Sequence, residues 1–240
     1  MQVLQGACQP AAISIRTAPP QALAPLWHTR ALVLLILAVA ATGSVLGPQA
    51  RALTAPASRL VGLYLPLWIV SVSLTFYVSR FGLERSIFVE LFGSRAGRER
   101  DVLRNVAWAL GLVISLLCVE KLLQNVVGLP DSAAAHALAA QSPLEKSCWL
   151  GLAASVGFSE ELVYRGYLQR QLAALSGQLG LGIALQAALF GIAHGEQGQW
   201  AVGRFAVYGL LFGWVAARRK TILPCVLAHV TLDVYAGFSG

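Results

Sequence analysis

The chain has 240 residues, of which 57% are hydrophobic and only 12% charged, with a formal net charge of +7 and a mean hydropathy of +0.66. A soluble globular surface uses roughly 25% charged residues, so this composition excludes an ordinary water-soluble domain and requires lipid as part of the solvent. The excess of Lys and Arg lies mostly in short connections between apolar runs, without an aromatic-interleaved basic patch, which argues for membrane topology signals and against a nucleic-acid partner.

Residues 1–30 mix Pro, Gln, Ala and two arginines without periodicity and read as a flexible cytoplasmic tail. A first apolar span is expected near Ala31–Gly47 and a second near Leu60–Val78, joined by a short Pro/Ala/Arg loop. Between Arg80 and Arg104 the charges crowd, while Ile87, Phe88, Leu91 and Phe92 recur at helical spacing, which suits a helix lying in the membrane interface. A third span follows from Asn105 to Val127, then an Ala-rich loop, Pro130 to Lys146. The fourth span starts near Cys148, the fifth covers Leu179–His194, the sixth Ala201–Ala217 and the seventh Thr221–Gly237.

The fold class expected is therefore all-α, a polytopic bundle of about seven spans of about 20 residues each. It divides into the tail 1–30, an N-terminal membrane region 31–146 and a C-terminal membrane region 147–240. Twelve Lys and Arg fall on the side of the tail and four on the other, which places the amino terminus in the cytoplasm and the carboxyl terminus outside. Cys8, Cys118, Cys148 and Cys225 contain no C-x-x-C pair and read as packing residues.

An ionisable group in mid-span costs about 2.5–3.5 kcal/mol on insertion scales and so needs a partner or a task. Such groups concentrate in three places: Glu160-Glu161 with Arg165, His194, and His229 with Asp233. Glu161 and Arg165 are four apart on one helix face and read as a structural ion pair. Glu160 lies about 100° round the helix, free to act as a base. Gly191 and Gly195 flank His194 and allow close approach of a helix or a substrate backbone. Asp233, one turn from His229, is placed to fix its tautomer or keep it a cation.

Glu160 as general base, with the imidazoles as donors to a developing oxyanion, suffices for peptide hydrolysis. His194, His229 and Glu160 also have the donor types of a His₂-carboxylate zinc site, although no H-E-x-x-H helix is present. Tyr164 and Tyr167 read as packing groups with a polar tip, Arg218-Arg219-Lys220 as a topology anchor, and Gly203, Gly209 and Gly213 as a surface for close helix contact. A proton-relay transporter would also use intramembrane Glu and His, but no internal repeat supports it.

Three motifs in order, Glu160-Glu161-Leu162-Val163-Tyr164-Arg165 followed by Gly166, Phe190 to His194, and His229-Val230-Thr231-Leu232-Asp233, resemble the signature of the CAAX-processing and bacteriocin-immunity family of intramembrane proteases. The resemblance implies a multi-pass protein, as in the bacterial plasma membrane, that cuts near the carboxyl terminus of a membrane-tethered or lipidated protein. Glu160, His194, His229 and Asp233 would be its catalytic residues. It also implies membrane lipid as surroundings, and leaves two mechanisms, glutamate-activated water or zinc, of which the residues favour the first. A non-catalytic scaffold or immunity protein of the same fold is the alternative. Asp233 stands where the best-known prenyl-processing members have Asn, and an ionised carboxylate cannot donate to an oxyanion.

Overall fold

A computed structural model describes residues 22–53, 55–83, 99–128 and 138–239. The tail up to residue 21, most of the interfacial segment 80–104 and residues 129–137 of the Ala-rich loop lie outside the described residues. All regular structure among the described residues is helical. In chain order it comprises α1 (Leu26–Arg51), α2 (residues 56–82), α3 (Glu99–Val127), α4 (residues 143–176), α5 (Leu179–Ala193), α6 (Gln199–Arg219) and α7 (Leu223–Phe238). The all-α bundle read from the sequence is the fold observed.

Among the described residues four helices are long and apolar enough to cross a membrane by length and composition: Leu26–Pro48, Ala57–Gly82, Asp101–Val126 and Gln199–Arg219. The two others of similar apolar character, α5 and α7, are shorter, at 15 and 16 residues. Outward-facing Leu34, Val61, Ile69, Phe76, Leu103 and Ile114 remain exposed, as expected of surfaces that lipid covers. No soluble surface would leave so many large apolar side chains uncovered.

The centre of the bundle is α4. Ser142 and Glu145 form a capping box with Pro143 in the first turn, so the start is fixed by reciprocal side-chain bonds to orphan N–H groups. Midway, residues Leu162–Leu168 widen into a π-helical stretch, every residue of which is buried. Such widenings recur at functional sites, and this one begins immediately after Glu160 and Glu161. The helix ends at Gly177, with φ of 71°, a left-handed cap that Gly takes without a Cβ penalty.

Around α4 the remaining helices pack through small residues and a few polar bonds. Trp68 donates to Ser155 Oγ at 2.7 Å and Ser159 to the Ser71 carbonyl at 2.8 Å, tying α2 to α4. Gln169 and Gln186 donate to the carbonyls of Gly213 and Gly209, at 3.0 and 2.8 Å. A Cβ at Gly209 would lie 2.8 Å from the Ala187 backbone, so two of the three glycines read as contact residues are used that way, while Gly203 faces open space. Gly191 likewise lies against Val202 and Ala206 of α6. Tyr167 packs in the core and bonds Thr29 of α1 at 3.0 Å.

Arg59, placed by the pattern in a loop before the second span, is buried, with its Nε 2.8 Å from Glu145 Oε1 and its Nη2 2.7 Å from the Ala139 carbonyl. The spacing between the two partners is 86 residues, too far apart for a periodicity argument to link them.

Candidate active site

Three helices bring the polar residues to one place. Glu160 stands on α4 at the edge of the π-helical stretch, His194 caps the C-terminal end of α5, and His229 and Asp233 lie one turn apart on α7. The tight reversal after His194 ends at Gly198, with φ of 112°, a conformation that a side chain would strain. It returns the chain as α6 directly beside the site.

Glu160 Oε2 is the common point. It lies 3.6 Å from His229 Nε2 and 4.0 Å from His194 Nε2, and Asp233 Oδ2 lies 3.8 Å from His229 Nε2. The Glu160 and Asp233 side chains keep 25% and 29% of their surface exposed, the two imidazoles 10–14%. The cluster is therefore sunk in the bundle, with its carboxylate side chains less covered than its imidazoles.

Each imidazole is oriented through its other nitrogen. His194 Nδ1 is 2.8 Å from the Phe190 carbonyl, one turn back, and a carbonyl oxygen only accepts, so Nδ1 donates. That bond gives a reason for the four-residue spacing of Phe190 and His194. His229 Nδ1 is 2.8 Å from Glu161 Oε1, and the same logic makes Nδ1 the donor there. In their neutral forms both rings thus turn an Nε2 lone pair toward Glu160.

Glu161 and Arg165 do form the expected pair, at 2.9 Å and fully buried. The guanidinium lies between the faces of Phe190 and Phe212, 4.3 and 4.8 Å from their centroids, where cation–π attraction replaces part of its lost hydration. Of the two roles read for Asp233, that of fixing the tautomer of His229 needs correcting. The tautomer of His229 is set by Glu161, not by Asp233, because Glu161 holds Nδ1 while Asp233 faces Nε2 beyond hydrogen-bond distance. Glu161 is therefore both a partner of Arg165 and the orienting group of His229. A second residue missed by the sequence is Trp149, whose indole N–H donates to the Asp233 carbonyl at 2.8 Å. An indole in an apolar run carries no pattern that announces such a bond.

His₂-carboxylate donors suit zinc chemically, yet the 3.6–4.0 Å between Nε2 atoms and carboxylate oxygens exceeds the about 3.4 Å between ligands of a tetrahedral zinc with bonds of about 2.0–2.1 Å. Among the described residues no three His, Cys, Asp or Glu side chains are grouped to hold a metal ion. As placed, the residues do not fit the metal.

The order Glu-Glu-x-x-x-Arg, Phe-x-x-x-His, His-x-x-x-Asp is thus one spatial cluster. Residues 144–235 match the Rce1-like family of type II CAAX prenyl endopeptidases. All three motifs that carry the resemblance lie within the matched residues. No curated protein and no solved structure matches the chain.

Proposed function

We propose that the protein is an intramembrane endopeptidase that hydrolyses a peptide bond near the carboxyl terminus of a membrane-tethered, prenylated protein, with Glu160 activating the water. The observation that carries this reading is the convergence of two imidazole Nε2 atoms on one carboxylate oxygen, Glu160 Oε2. Two acceptors 4.0 Å apart can both take a hydrogen bond of about 2.8 Å from one water, so Glu160 and His194 together hold and polarise the nucleophile.

The water oxygen attacks the scissile carbonyl carbon and its proton passes to Glu160. The carbonyl π electrons move to oxygen, and His229, as an imidazolium with Nδ1 on Glu161, donates Nε2–H to that oxyanion. Collapse of the intermediate breaks the C–N bond, the proton on Glu160 moves to the leaving nitrogen, and Glu160 returns to a carboxylate. Asp233 acts beside His229, as a counter-charge to the imidazolium where Asn would be a second donor. The matched family supports the prenylated substrate, and the excess of Lys and Arg on the side of the tail supports a cytoplasmic amino terminus.

The test is a purified-protein assay on a farnesylated peptide with a free carboxyl terminus in lipid vesicles. Glu160→Gln should lower turnover by at least roughly 10²-fold with melting unchanged, and His194→Ala and His229→Ala should do the same. Wild-type turnover in Glu160→Gln overturns the mechanism. Activity lost to a chelator and restored by zinc would transfer the nucleophile to a metal.

A further inference from the structure

His194 ends its helix, so no following turn of α5 braces its ring. The bond from Nδ1 to the Phe190 carbonyl fixes one ring atom but leaves the plane free to pivot about that bond. What fixes the plane comes from α6. The ring of Phe205 lies face to face on the imidazole, with centroids 3.9 Å apart and planes within 17°, while Phe190 meets the imidazole at 56°. Both constraints are needed to keep Nε2 directed at Glu160.

Phe205 is itself held from α3, which lies outside residues 144–235. Tyr208 meets its ring edge-on at 5.5 Å, and the Tyr208 hydroxyl donates to Glu120 Oε2 at 2.7 Å. Arg204, the residue before Phe205, brings Nε to 3.3 Å from the same oxygen, and Gln124 donates to Glu120 Oε1 at 3.0 Å. A carboxylate in an apolar helix is costly to insert. Here it clasps α6 through Arg204 and Tyr208, which share a helix face at i,i+4, with Phe205 following Arg204 in the chain and packing against Tyr208.

We infer that Phe205 is a positioning residue for His194, and that the Glu120–Arg204–Tyr208 clasp sets Phe205, which makes α3 part of the apparatus of the site. The inference rests on the reading of His194 as the second acceptor for the nucleophilic water. Misplacing a reacting group by about 1 Å can cost about 10²-fold in rate, so loss of the stack reads out in kcat and leaves substrate binding in place.

The full-length protein in lipid vesicles, the farnesylated peptide as substrate and His194→Ala run in parallel form the test. Phe205→Leu keeps apolar volume but removes the flat face. It should lower kcat by about 10- to 100-fold with KM within about twofold, and Phe205→Tyr, which restores the face, should recover most of the loss. Tyr208→Phe removes only the hydroxyl bond to Glu120 and should show a smaller drop, again in kcat alone. If Phe205→Leu does not fold, Tyr208→Phe decides. An inactive His194→Ala together with wild-type kcat in Phe205→Leu, or in Tyr208→Phe if that variant decides, overturns the positioning role alone. An active His194→Ala overturns the catalytic reading and this inference with it. A fall in stability and a rise in KM without loss of kcat would make the clasp purely structural.

Discussion

Helix α4 supplies the carboxylate of two buried carboxylate–guanidinium pairs, Glu145 with Arg59 of α2 and Glu161 with Arg165 of α4 itself, and they are finished in opposite ways. Glu145 accepts from Arg59 and from the backbone N–H groups of Gln141 and Ser142, at 2.7–2.9 Å, and Arg59 donates on to the Ala139 carbonyl. That pair is closed by main chain, and it pins the start of α4 to α2. Glu161 gives the same oxygen to Arg165 and to His229, while its Oε2 and the Nε and Nη2 of Arg165 meet no hydrogen-bond partner among the described residues. The second pair is closed by aromatic faces and an imidazole. A buried pair saturated by its own backbone serves the fold, whereas one that spends its bonding capacity on a histidine serves the site as well.

Glu161→Gln and Glu145→Gln give the sharpest test of the contrast and the largest effects. Each leaves a buried guanidinium without its counter-charge, at about 3–5 kcal/mol, readable as lower melting temperature and yield. Glu161→Gln should also abolish turnover of the molecules that remain folded, while Glu145→Gln leaves turnover per folded molecule unchanged. Equal specific activity in both variants would erase the distinction.

Phe212→Leu removes one of the two faces that enclose Arg165 and should cost about 1–2 kcal/mol in denaturant unfolding. Trp149→Phe deletes the N–H that holds the Asp233 carbonyl. A stability loss of about 0.5–1.5 kcal/mol is expected, with a measurable drop in kcat because the bond lies between the closed pair and the site. Unchanged kcat would confine Trp149 to packing.

The smallest effect is a pH dependence. Burial by itself pushes the Glu145 carboxyl up, but the N–H groups of Gln141 and Ser142 and the Arg59 guanidinium outweigh it and hold the group below its ordinary range. A depressed folded-state value means that the stabilisation is complete above the ordinary carboxylate range and is lost as pH falls through the lowered value. The melting-temperature gap between the wild type and Glu145→Gln should therefore be constant near neutrality and narrow in acid. A gap that widens in acid would contradict the assignment.

Sequence alone determined the bundle, because long apolar runs have few alternatives in lipid, where backbone groups must bond within their own helix. It also determined the Glu161–Arg165 pair and the Phe190–His194 and His229–Asp233 spacings, since residues four apart share a helix face whatever the tertiary arrangement. Periodicity speaks only within one helix. The bond between Glu161 and His229 spans 68 positions, and Arg59 reaches Glu145 across 86. The stack of Phe205 on His194 depends on the reversal at Gly198 and on how closely Gly191 lets α6 approach α5. These were decided by packing between helices, because which oxygen meets which nitrogen there depends on helix rotation and separation. A one-dimensional pattern leaves both unspecified.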